Sequence, residues 1–536
     1  MKAAAFAVLL ALSGASARSE PPPPPMTGFY GGGYGGPGAF TYTQIELGEQ
    51  AGVLAGRVYQ PNDRAGSLPI AGLRRDGPRL RFTADGLGFD LRRTATGYAG
   101  TVATPGGPRP AWFALRPGSA PAALLATVEG SYDSGGGRVL SLSRNNDGGG
   151  FWYLERPSGR TGFLFNLSDR EFLAGPCLYC AGPERLRLSF VPAPGGGRVD
   201  QVRLRQDGRD RILRRLTSFR EEEIRFGSRD GTRLAGSLFL PAGPGPHPAI
   251  VLVHGSGAQT RNGFYGHIRF LAEAYARAGI AALAYDKRGT GASEGDWGRT
   301  GFDGLADDAA AALRLLAARA DIRADRLGLS GASQAGWIVP MAASRHPGVR
   351  ILQIRSGSAP MGVEESERRR LVRQMRADGY GEEEIARAMR IRVLMDNYAQ
   401  TGAHWPALAA AAEPVKDEFW LQRYIGALPG REDSDWAWLR EAFGFDVTPD
   451  LAAYRGRVQI LYGGSDALID PAVPIALVRR ALAPGVAREA DIAVLPRATH
   501  NGFDGRTGGE HEFAGYSGFV PGYFERIVNW AAAHLR

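Results

Sequence analysis

Cysteine is almost absent from this chain of 536 residues, which has only Cys177 and Cys180. A zinc site built on cysteine needs a second pair of ligands, and no further cysteine exists to supply it. A thiol redox motif should open a helix after a strand, whereas this pair lies in a Gly/Pro-flanked stretch with β-type alternation. In an oxidising compartment, two thiols three positions apart favour a small local disulfide, and the sequence leaves open whether it forms.

Lysine is scarce as well, so arginine carries the positive charge. Lys and Arg together number 64 against 55 Asp and Glu, a net charge of +9, and the only lysines are Lys2, Lys287 and Lys416. Proteins that bind nucleic acid cluster their basic residues on one face. Here the arginines are interleaved with Asp and Glu along the chain, so we expect no nucleic-acid partner.

No apolar run approaches the roughly 20 residues that a membrane-spanning helix requires. The apolar run over residues 3–12 follows Lys2 and leads to the small residues Ala15 and Ala17, a layout typical of a secretory signal peptide. We therefore expect a signal peptide over residues 1–17 and a periplasmic or secreted protein without a membrane span. No cysteine follows the apolar run, which disfavours a lipid anchor.

The next part of the chain divides into a low-complexity segment and a region with a period of two. Residues 18–39 contain a polyproline run and a Gly/Tyr-rich tract without apolar periodicity, which we interpret as an extended or flexible tether with no core. Residues 40–216 alternate apolar and polar side chains between Asp-Gly turns, which predicts an all-β region. A division into two small β units near residue 121 is left open. No acid, base or nucleophile constellation is visible there.

After residue 216 the pattern changes to short apolar strands that alternate with helical segments. Such alternation predicts βα units and a mostly parallel sheet with helices on both faces over residues 217–536. The strands at 249–253 and 280–285 are unbroken apolar runs, as expected for strands that are buried on both faces. About 90 residues separate the strand at 351 from the strand at 458, too many for a loop. We predict a helical cap there, over about residues 361–450.

A candidate nucleophile lies in the segment 327–336, which reads as an apolar strand, a sharp turn at Ser333 and a helix. A nucleophile on such a turn needs small residues two positions before it and two after it, because strand and helix approach closely. Gly331 and Ala335 fill these positions. Ala335 departs from the strict G-x-S-x-G pattern, but alanine is small enough to fit.

A serine hydroxyl becomes nucleophilic when a base removes its proton, and a histidine base needs a carboxylate to orient it. Asp466 follows the strand at 458–462, and His500 follows the last predicted strand. We therefore predict a catalytic triad of Ser333, Asp466 and His500, each just after a strand. Asp470 is a rival acid, but Pro471 beside it favours the role of a helix cap.

The tetrahedral oxyanion of acyl transfer requires N–H donors. The turn His254-Gly255-Ser256-Gly257 follows an apolar strand, and we predict that the amide of Ser256 or Gly257 joins the amide of Gln334 as an oxyanion hole. The helix that begins at Gln334 directs the positive end of its dipole to the same place. We interpret His254 as ordering its own loop.

Motifs for bound cofactors and metals are missing. The segment Gly289-Thr290-Gly291 lacks the third glycine of a dinucleotide fingerprint, and no Gly-Lys-Ser/Thr phosphate loop exists. His511 lacks the second helical histidine of a zinc protease. We predict no metal and no organic cofactor.

With these motifs and the segment 285–293, the chain over roughly residues 219–536 resembles the α/β-hydrolase superfamily. The similarity is to secreted bacterial serine hydrolases grouped with dienelactone-hydrolase-like and serine-aminopeptidase-like members. The resemblance implies an α/β-hydrolase fold and acyl-serine catalysis without a cofactor, and it treats residues 286–293 as a structural turn. It does not extend to the β region.

We expect a carboxylic ester hydrolase that acts on a small molecule. A serine peptidase with the same triad is the alternative, and it needs a group that binds an amino terminus. Glu364, Glu365 and Glu367 are candidates for that group, although they are more typical of a solvated helix face. A non-enzymatic alternative is a binding protein whose β region contacts a glycan or a protein beside a silent hydrolase fold.

Overall fold

The computed structural model describes most of the chain. The described residues are 27–35, 41–50, 53–59, 67–84, 86–94, 97–116, 122–144, 151–168, 170–179, 184–426, 428–433, 435–513 and 515–535. The expected signal peptide, residues 1–17, and the start of the expected tether, residues 18–26, lie outside them.

An antiparallel sheet forms the N-terminal unit. Its strands are β1 Gly28–Tyr34, β2 Thr41–Gln50, β3 Val53–Tyr59, β4 Ser67–Pro69, β5 Ala71–Asp76, β6 Arg79–Ala84, β7 Leu87–Arg93, β8 Gly97–Thr104 and β9 Gly107–Arg116. The order across the sheet is β4-β3-β2-β1-β9-β8-β7-β6-β5. In β6, the buried Leu80 and Phe82 alternate with the exposed Arg81 and Thr83, so one face carries the core of this unit.

The prediction of a coreless tether is wrong for residues 28–34, because they form β1 inside this sheet. Tyr30 is 1% exposed and packs edge-on against Tyr98, with ring centroids 5.0 Å apart. A Cβ atom on Gly32 would lie 2.0 Å from the carbonyl oxygen of Trp112 in β9. Glycine therefore lets the two strands approach closely, whereas a search for apolar periodicity reads the same glycine as a gap.

A closed barrel follows. After helix α1 Ala122–Val128, its strands are β10 Gly130–Gly135, β11 Arg138–Arg144, β12 Phe151–Arg156, β13 Thr161–Ser168, β14 Glu171–Ala174, β15 Leu186–Phe190, β16 Gln201–Gln206 and β17 Arg209–Arg215. The pairing of β10 with β17 closes it, Tyr132 lying opposite Arg215. Buried side chains such as Leu142, Phe151 and Phe172 fill its interior, as expected for eight strands.

The third sheet has eight strands. They are β18 Phe219–Gly227, β19 Arg233–Pro241, β20 His247–Val253, β21 Ala281–Tyr285, β22 Ile322–Ala332, β23 Val349–Arg355, β24 Arg457–Gly463 and β25 Asp491–Leu495. Their order is β18-β19-β21-β20-β22-β23-β24-β25. The pairs β18/β19 and β19/β21 are antiparallel, and every pair from β21 to β25 is parallel.

Helices cover this sheet and fill the long insertion. They are α2 His267–Arg277, α3 Phe302–Ala317, α4 Ala335–Ser344, α5 Val363–Ala377, α6 Glu382–Thr401, α7 Trp405–Ala412, α8 Asp435–Phe443, α9 Thr448–Ala453, α10 Ala472–Ala481, α11 Pro484–Glu489, α12 Glu510–Phe513 and α13 Tyr523–Leu535. The segment from α5 to α9 lies between β23 and β24, and we call it the cap. No helix of the described residues is long and apolar enough to span a membrane.

The barrel packs directly on the α/β domain. Trp152 and Phe163 of the barrel belong to the same buried apolar cluster as Phe270 of α2 and Phe503. A buried ionic cluster lies at the same boundary, where the guanidinium of Arg269 contacts Glu129 ahead of β10, Glu221 of β18 and Glu273 of α2. Apolar and ionic contacts together join the two folds into one buried interface.

Candidate active site

Ser333 lies on a sharp turn between β22 and α4. Its φ of +57° is in the left-handed region, a strained conformation for a residue with a Cβ atom. A Cβ atom on Gly331, two positions before Ser333, would lie 2.3 Å from the Cβ atom of Ala335, so residue 331 has to be glycine. The amide of Ser333 donates to the carbonyl oxygen of Arg355 at 2.9 Å, which fixes the turn against β23.

Asp466 and His500 are in contact. The Nδ1 atom of His500 is 2.9 Å from Oδ2 of Asp466, and the amides of Leu468 and Ile469 donate to Oδ1 at 2.8 and 2.9 Å. The aspartate side chain is 1% exposed and the histidine side chain 12%. A carboxylate held this way accepts the hydrogen bond of Nδ1–H and leaves Nε2 to accept another proton.

All three residues lie at one edge of the sheet. Strand register pairs Ala332 with Arg355 and Gly463 with Leu495, and Ser333, Asp466 and His500 follow these paired ends. The structure joins acid and base directly. Among the described residues, the Ser333 hydroxyl makes no hydrogen bond, so the contact between serine and base is not made here. Such contacts often tighten only when substrate binds.

The rival acid, Asp470, caps a helix, as its position beside Pro471 predicts. Asp470 is exposed, and its carboxylate accepts a hydrogen bond of 3.1 Å from the amide of Ala472, the first residue of α10. Asp466 is therefore the carboxylate that contacts the histidine.

The orientations of the predicted oxyanion donors are set by contacts on the opposite sides of their peptide planes. In a trans peptide the carbonyl points away from the following amide. The carbonyl of Gly255 accepts from Lys287 Nζ at 2.8 Å, and the carbonyl of Ser256 accepts from Gln259 Nε2 at 2.9 Å. The carbonyl of Ser333 accepts from the amide of Gly336 at 2.8 Å. The amides of Ser256, Gly257 and Gln334 therefore point away from these partners.

His254 has no visible part in proton transfer. Its ring packs edge-on against Tyr285, with centroids 4.7 Å apart, and burial lowers its pKa to about 3, so it is neutral. Asp286 accepts hydrogen bonds from Arg261 and from the amide of Ala292, as expected of a structural turn.

Two residues that contact the site were missed by the sequence analysis. Lys287 belongs to the segment interpreted as purely structural, yet its ammonium reaches the loop of the oxyanion donors. The signal in the sequence that could have identified it is that lysine is rare in this arginine-rich chain. Arg373 of the cap donates to the backbone carbonyl of Asp466 at 2.6 Å, and nothing in its helix pattern distinguishes it from its arginine neighbours.

The loop after His500 is held from two sides. From the barrel side, the amide of Leu178 donates to Tyr516 at 2.6 Å, and Gly159 accepts from the amide of Phe519 at 2.8 Å. From the cap side, Arg423 forms an ion pair with Glu510. Cys177, next to Leu178, is disulfide-bonded; Cys180 lies outside the described residues.

One family model matches part of the chain. The model of the X-Pro dipeptidyl-peptidase (S15 family) matches residues 230–434, from the turn between β18 and β19 into the cap. No curated protein matches the chain.

Solved structures with similarity to the chain include the α/β hydrolase GrgF from Penicillium sp. sh18, with 17% identity, 59% of this chain and 99% of that chain covered, and a TM-score of 0.38. Acetyl xylan esterase 1 from Thermoanaerobacterium sp. has 18% identity, coverages of 53% and 80%, and a TM-score of 0.35. Est1E from Butyrivibrio proteoclasticus, solved with ferulic acid, has 16% identity, coverages of 58% and 96%, and a TM-score of 0.36.

The sheet order, the serine turn and the family match define the chain as a hydrolase of the α/β-hydrolase superfamily. Within that superfamily, the family whose model it matches is one of serine peptidases, although the match covers less than half of the chain.

Proposed function

We propose that this protein is a secreted serine hydrolase that cleaves carboxylic esters through an acyl-enzyme on Ser333. The observation that carries the proposal is the strained serine turn at the same sheet edge as the hydrogen-bonded Asp466–His500 pair. Two contacts to one buried carboxylate orient the His500 ring.

The geometry supports a two-stage reaction. His500 Nε2 takes the hydroxyl proton as Ser333 Oγ bonds to the ester carbonyl carbon, and the oxyanion accepts from the amides of Gln334 and of Ser256 or Gly257. The C–O bond to the alcohol then breaks, and the imidazolium gives its proton to the leaving oxygen. Water, deprotonated by the same histidine, attacks the acyl carbon. The bond from that carbon to Ser333 Oγ then breaks, the imidazolium returns its proton to Oγ, and the acid is released.

Asp466 stabilises the imidazolium that forms in both stages. Because its side chain is buried and already accepts hydrogen bonds from two backbone amides, it is fixed in place. Loss of one oxyanion donor in a site of this type costs about 10² to 10³ in rate.

Peptide hydrolysis is the second candidate, because the matched family model is a peptidase model. The proposed amino-terminus ligands are already engaged. Glu364, Glu365 and Glu367 form ion pairs with arginines of the same helix: Arg368, Arg369 and Arg370. These pairs favour the ester substrate, since a carboxylate neutralised by arginine attracts an ammonium weakly.

The test compares substrates on the purified full-length protein. We expect turnover of short-chain p-nitrophenyl esters that disappears in Ser333→Ala, while Xaa-Pro anilides are not cleaved. Circular dichroism of the variant checks that it remains folded. Cleavage of the anilides without cleavage of the esters would replace the esterase assignment by the peptidase.

Secretion and a glycan contact through the β region stay predictions. An amino terminus near Arg18 on protein recovered from the periplasm or medium supports the first. The binding alternative gains support if the protein binds cell-wall glycan and cleaves neither esters nor anilides.

A further inference from the structure

Lys287 is a buried lysine in a molecule that uses arginine almost everywhere. Of the two lysines that the structure describes, Lys287 is 2% exposed, whereas the side chain of Lys416 is 58% exposed. The Nζ atom of Lys287 donates to the carbonyls of Gly255 and Gly257 at 2.8 and 3.2 Å and to Oε1 of Gln334 at 3.1 Å. An ammonium has three N–H groups, and all three are used.

These three acceptors belong to the two segments that supply the oxyanion donors. The Gly255 carbonyl shares its peptide plane with the amide of Ser256, and Gln334 supplies the third amide. A Cβ atom on Gly255 would lie 3.4 Å from the Cβ atom of Ser333, so the two segments are in contact. The Lys287 side chain therefore holds the loop of residues 254–257 and the turn at Ser333 in a fixed position relative to each other.

Lysine fits this site better than arginine. Three acceptors around a single nitrogen suit the tetrahedral donors of an ammonium, whereas a guanidinium presents its donors in a planar fork. Nζ also lies over the indole of Trp297, 5.3 Å from the ring centroid, a distance at which the ring face attracts a cation.

The charge of Lys287 is not neutralised by contact. Among the described residues, no carboxylate is within ion-pair distance of it. The two charged neighbours of Lys287 in the chain have other partners. Asp286 pairs with Arg261, and Arg288 pairs with Asp308 of α3 and with Asp230 after β18. From the loop after β20, the neutral His254 faces it. Burial lowers the pKa of Lys287 to about 7, opposed by the charge of Asp308.

We propose that Lys287 is the positioning residue of the oxyanion hole, holding the amides of Ser256 and Gln334 in place and favouring the oxyanion by its charge. This inference rests on the proposed function of Ser333. A neutral amine has only two N–H donors, so deprotonation turns a lone pair toward one of the three oxygens. Reactivity should then fall as pH rises through the pKa of Lys287.

The experiment measures the second-order rate constant for fluorophosphonate labelling of Ser333 from pH 5 to pH 10. The probe leaves a phosphonyl oxygen in the oxyanion hole, so no natural substrate is needed. The variants are Lys287→Met, Lys287→Arg and the matched control Lys416→Met. Labelling is located by peptide mass spectrometry, and thermal unfolding reports whether each variant is folded.

We expect wild-type labelling to decline above about pH 7, and Lys287→Met to label about 10 to 100 times more slowly without that decline. Lys287→Arg keeps a charge that does not titrate, so it should be slowed but should also lose the decline. If Lys287→Met does not fold, the pH profile of labelling in Lys287→Arg is by itself the test of the proposal. Lys416→Met should match the wild type.

A merely structural lysine would lower the amount of folded protein and leave the shape of the pH profile unchanged. The proposal is overturned if both Lys287 variants keep the wild-type alkaline decline, or label at the wild-type rate. Failure of the proposed function looks different, because the wild-type protein would then not be labelled at Ser333 at all.

Discussion

The barrel and the cap both contact the loop that follows His500, but by different physical means. On the barrel side the contacts are buried: Trp152 is 0% exposed, Tyr179 3% and Phe503 0%, with Tyr265 packed between Trp152 and Phe503. On the cap side the contacts are polar: the Arg423–Glu510 ion pair leaves its side chains 26% and 35% exposed, and Asp378 contacts His511, whose side chain is 56% exposed.

This difference assigns different tasks to the two neighbours. Buried apolar packing is insensitive to salt and costly to disturb, whereas half-exposed ion pairs are weak and screened. We infer that the barrel fixes the loop that follows His500 and that the cap is attached to this loop loosely. The barrel is then part of the enzyme's framework in addition to any binding it performs.

The largest effect is expected from Arg269→Met in the buried cluster between barrel and α/β domain. The buried Glu129 and Glu273 and the partly buried Glu221 would lose their shared cation, a loss of about 3 to 5 kcal/mol in unfolding free energy. Urea denaturation measures it. Arg203→Met removes the exposed pair with Asp210 and serves as the control, with a change below about 0.5 kcal/mol.

Acid should reduce the difference in unfolding free energy between Arg269→Met and the wild type. Burial would raise the pKa of Glu221, but Arg269 holds it down at about 2, below the ordinary value of 4.5. The stabilisation that Glu221 contributes is therefore complete above pH 4.5 and is lost as pH falls toward 2. A gap between Arg269→Met and wild type that widens on acidification would contradict the account.

An intermediate effect is expected from two neighbouring residues of β12 that face opposite ways. Trp152 packs against Tyr265 outside the barrel, and Phe151 stacks on Phe172 inside it. Trp152→Leu and Phe151→Leu should each cost about 1 to 3 kcal/mol. Only Trp152→Leu should also slow ester turnover, because it loosens the histidine loop. Equal losses of kcat in the two variants would mean that the barrel does not position that loop.

The smallest effect is expected at the cap. Arg423→Gln removes the ion pair with Glu510 and should change unfolding free energy by at most about 1 kcal/mol. Any change in kcat/KM relative to wild type should vanish in 0.5 M NaCl, where the pair is screened. Arg376→Gln breaks an exposed pair with Glu382 in the cap and should change nothing. If Arg423→Gln lowers kcat/KM and the loss does not depend on salt, the cap positions the loop after His500 as the barrel does.

The α/β part could be read from sequence because its signals are local. Strands buried on both faces are unbroken apolar runs, and 249–253 and 280–285 fall on β20 and β21. The contact between Asp466 and His500 was predictable because parallel strands bring the loops at their carboxyl ends to one edge.

The barrel and β1 could not be read in the same way. Closure depends on Tyr132 meeting Arg215 across the whole barrel sequence, and no local pattern records that pairing. In β1 the approach to Trp112 requires glycine at residue 32, which suppresses the alternation that identifies strands. The direction of the Lys287 ammonium is likewise a property of packing between distant segments.

The central claim is that Ser333 is the nucleophile and that His500, oriented by Asp466, activates it. The most direct measurement is the site and rate of fluorophosphonate labelling in wild type, Ser333→Ala, His500→Gln and Asp466→Asn. The account predicts label on the Ser333 peptide, none in Ser333→Ala, and labelling at least 10³-fold slower in His500→Gln. Label that persists in Ser333→Ala, or an unchanged rate in His500→Gln, would contradict it.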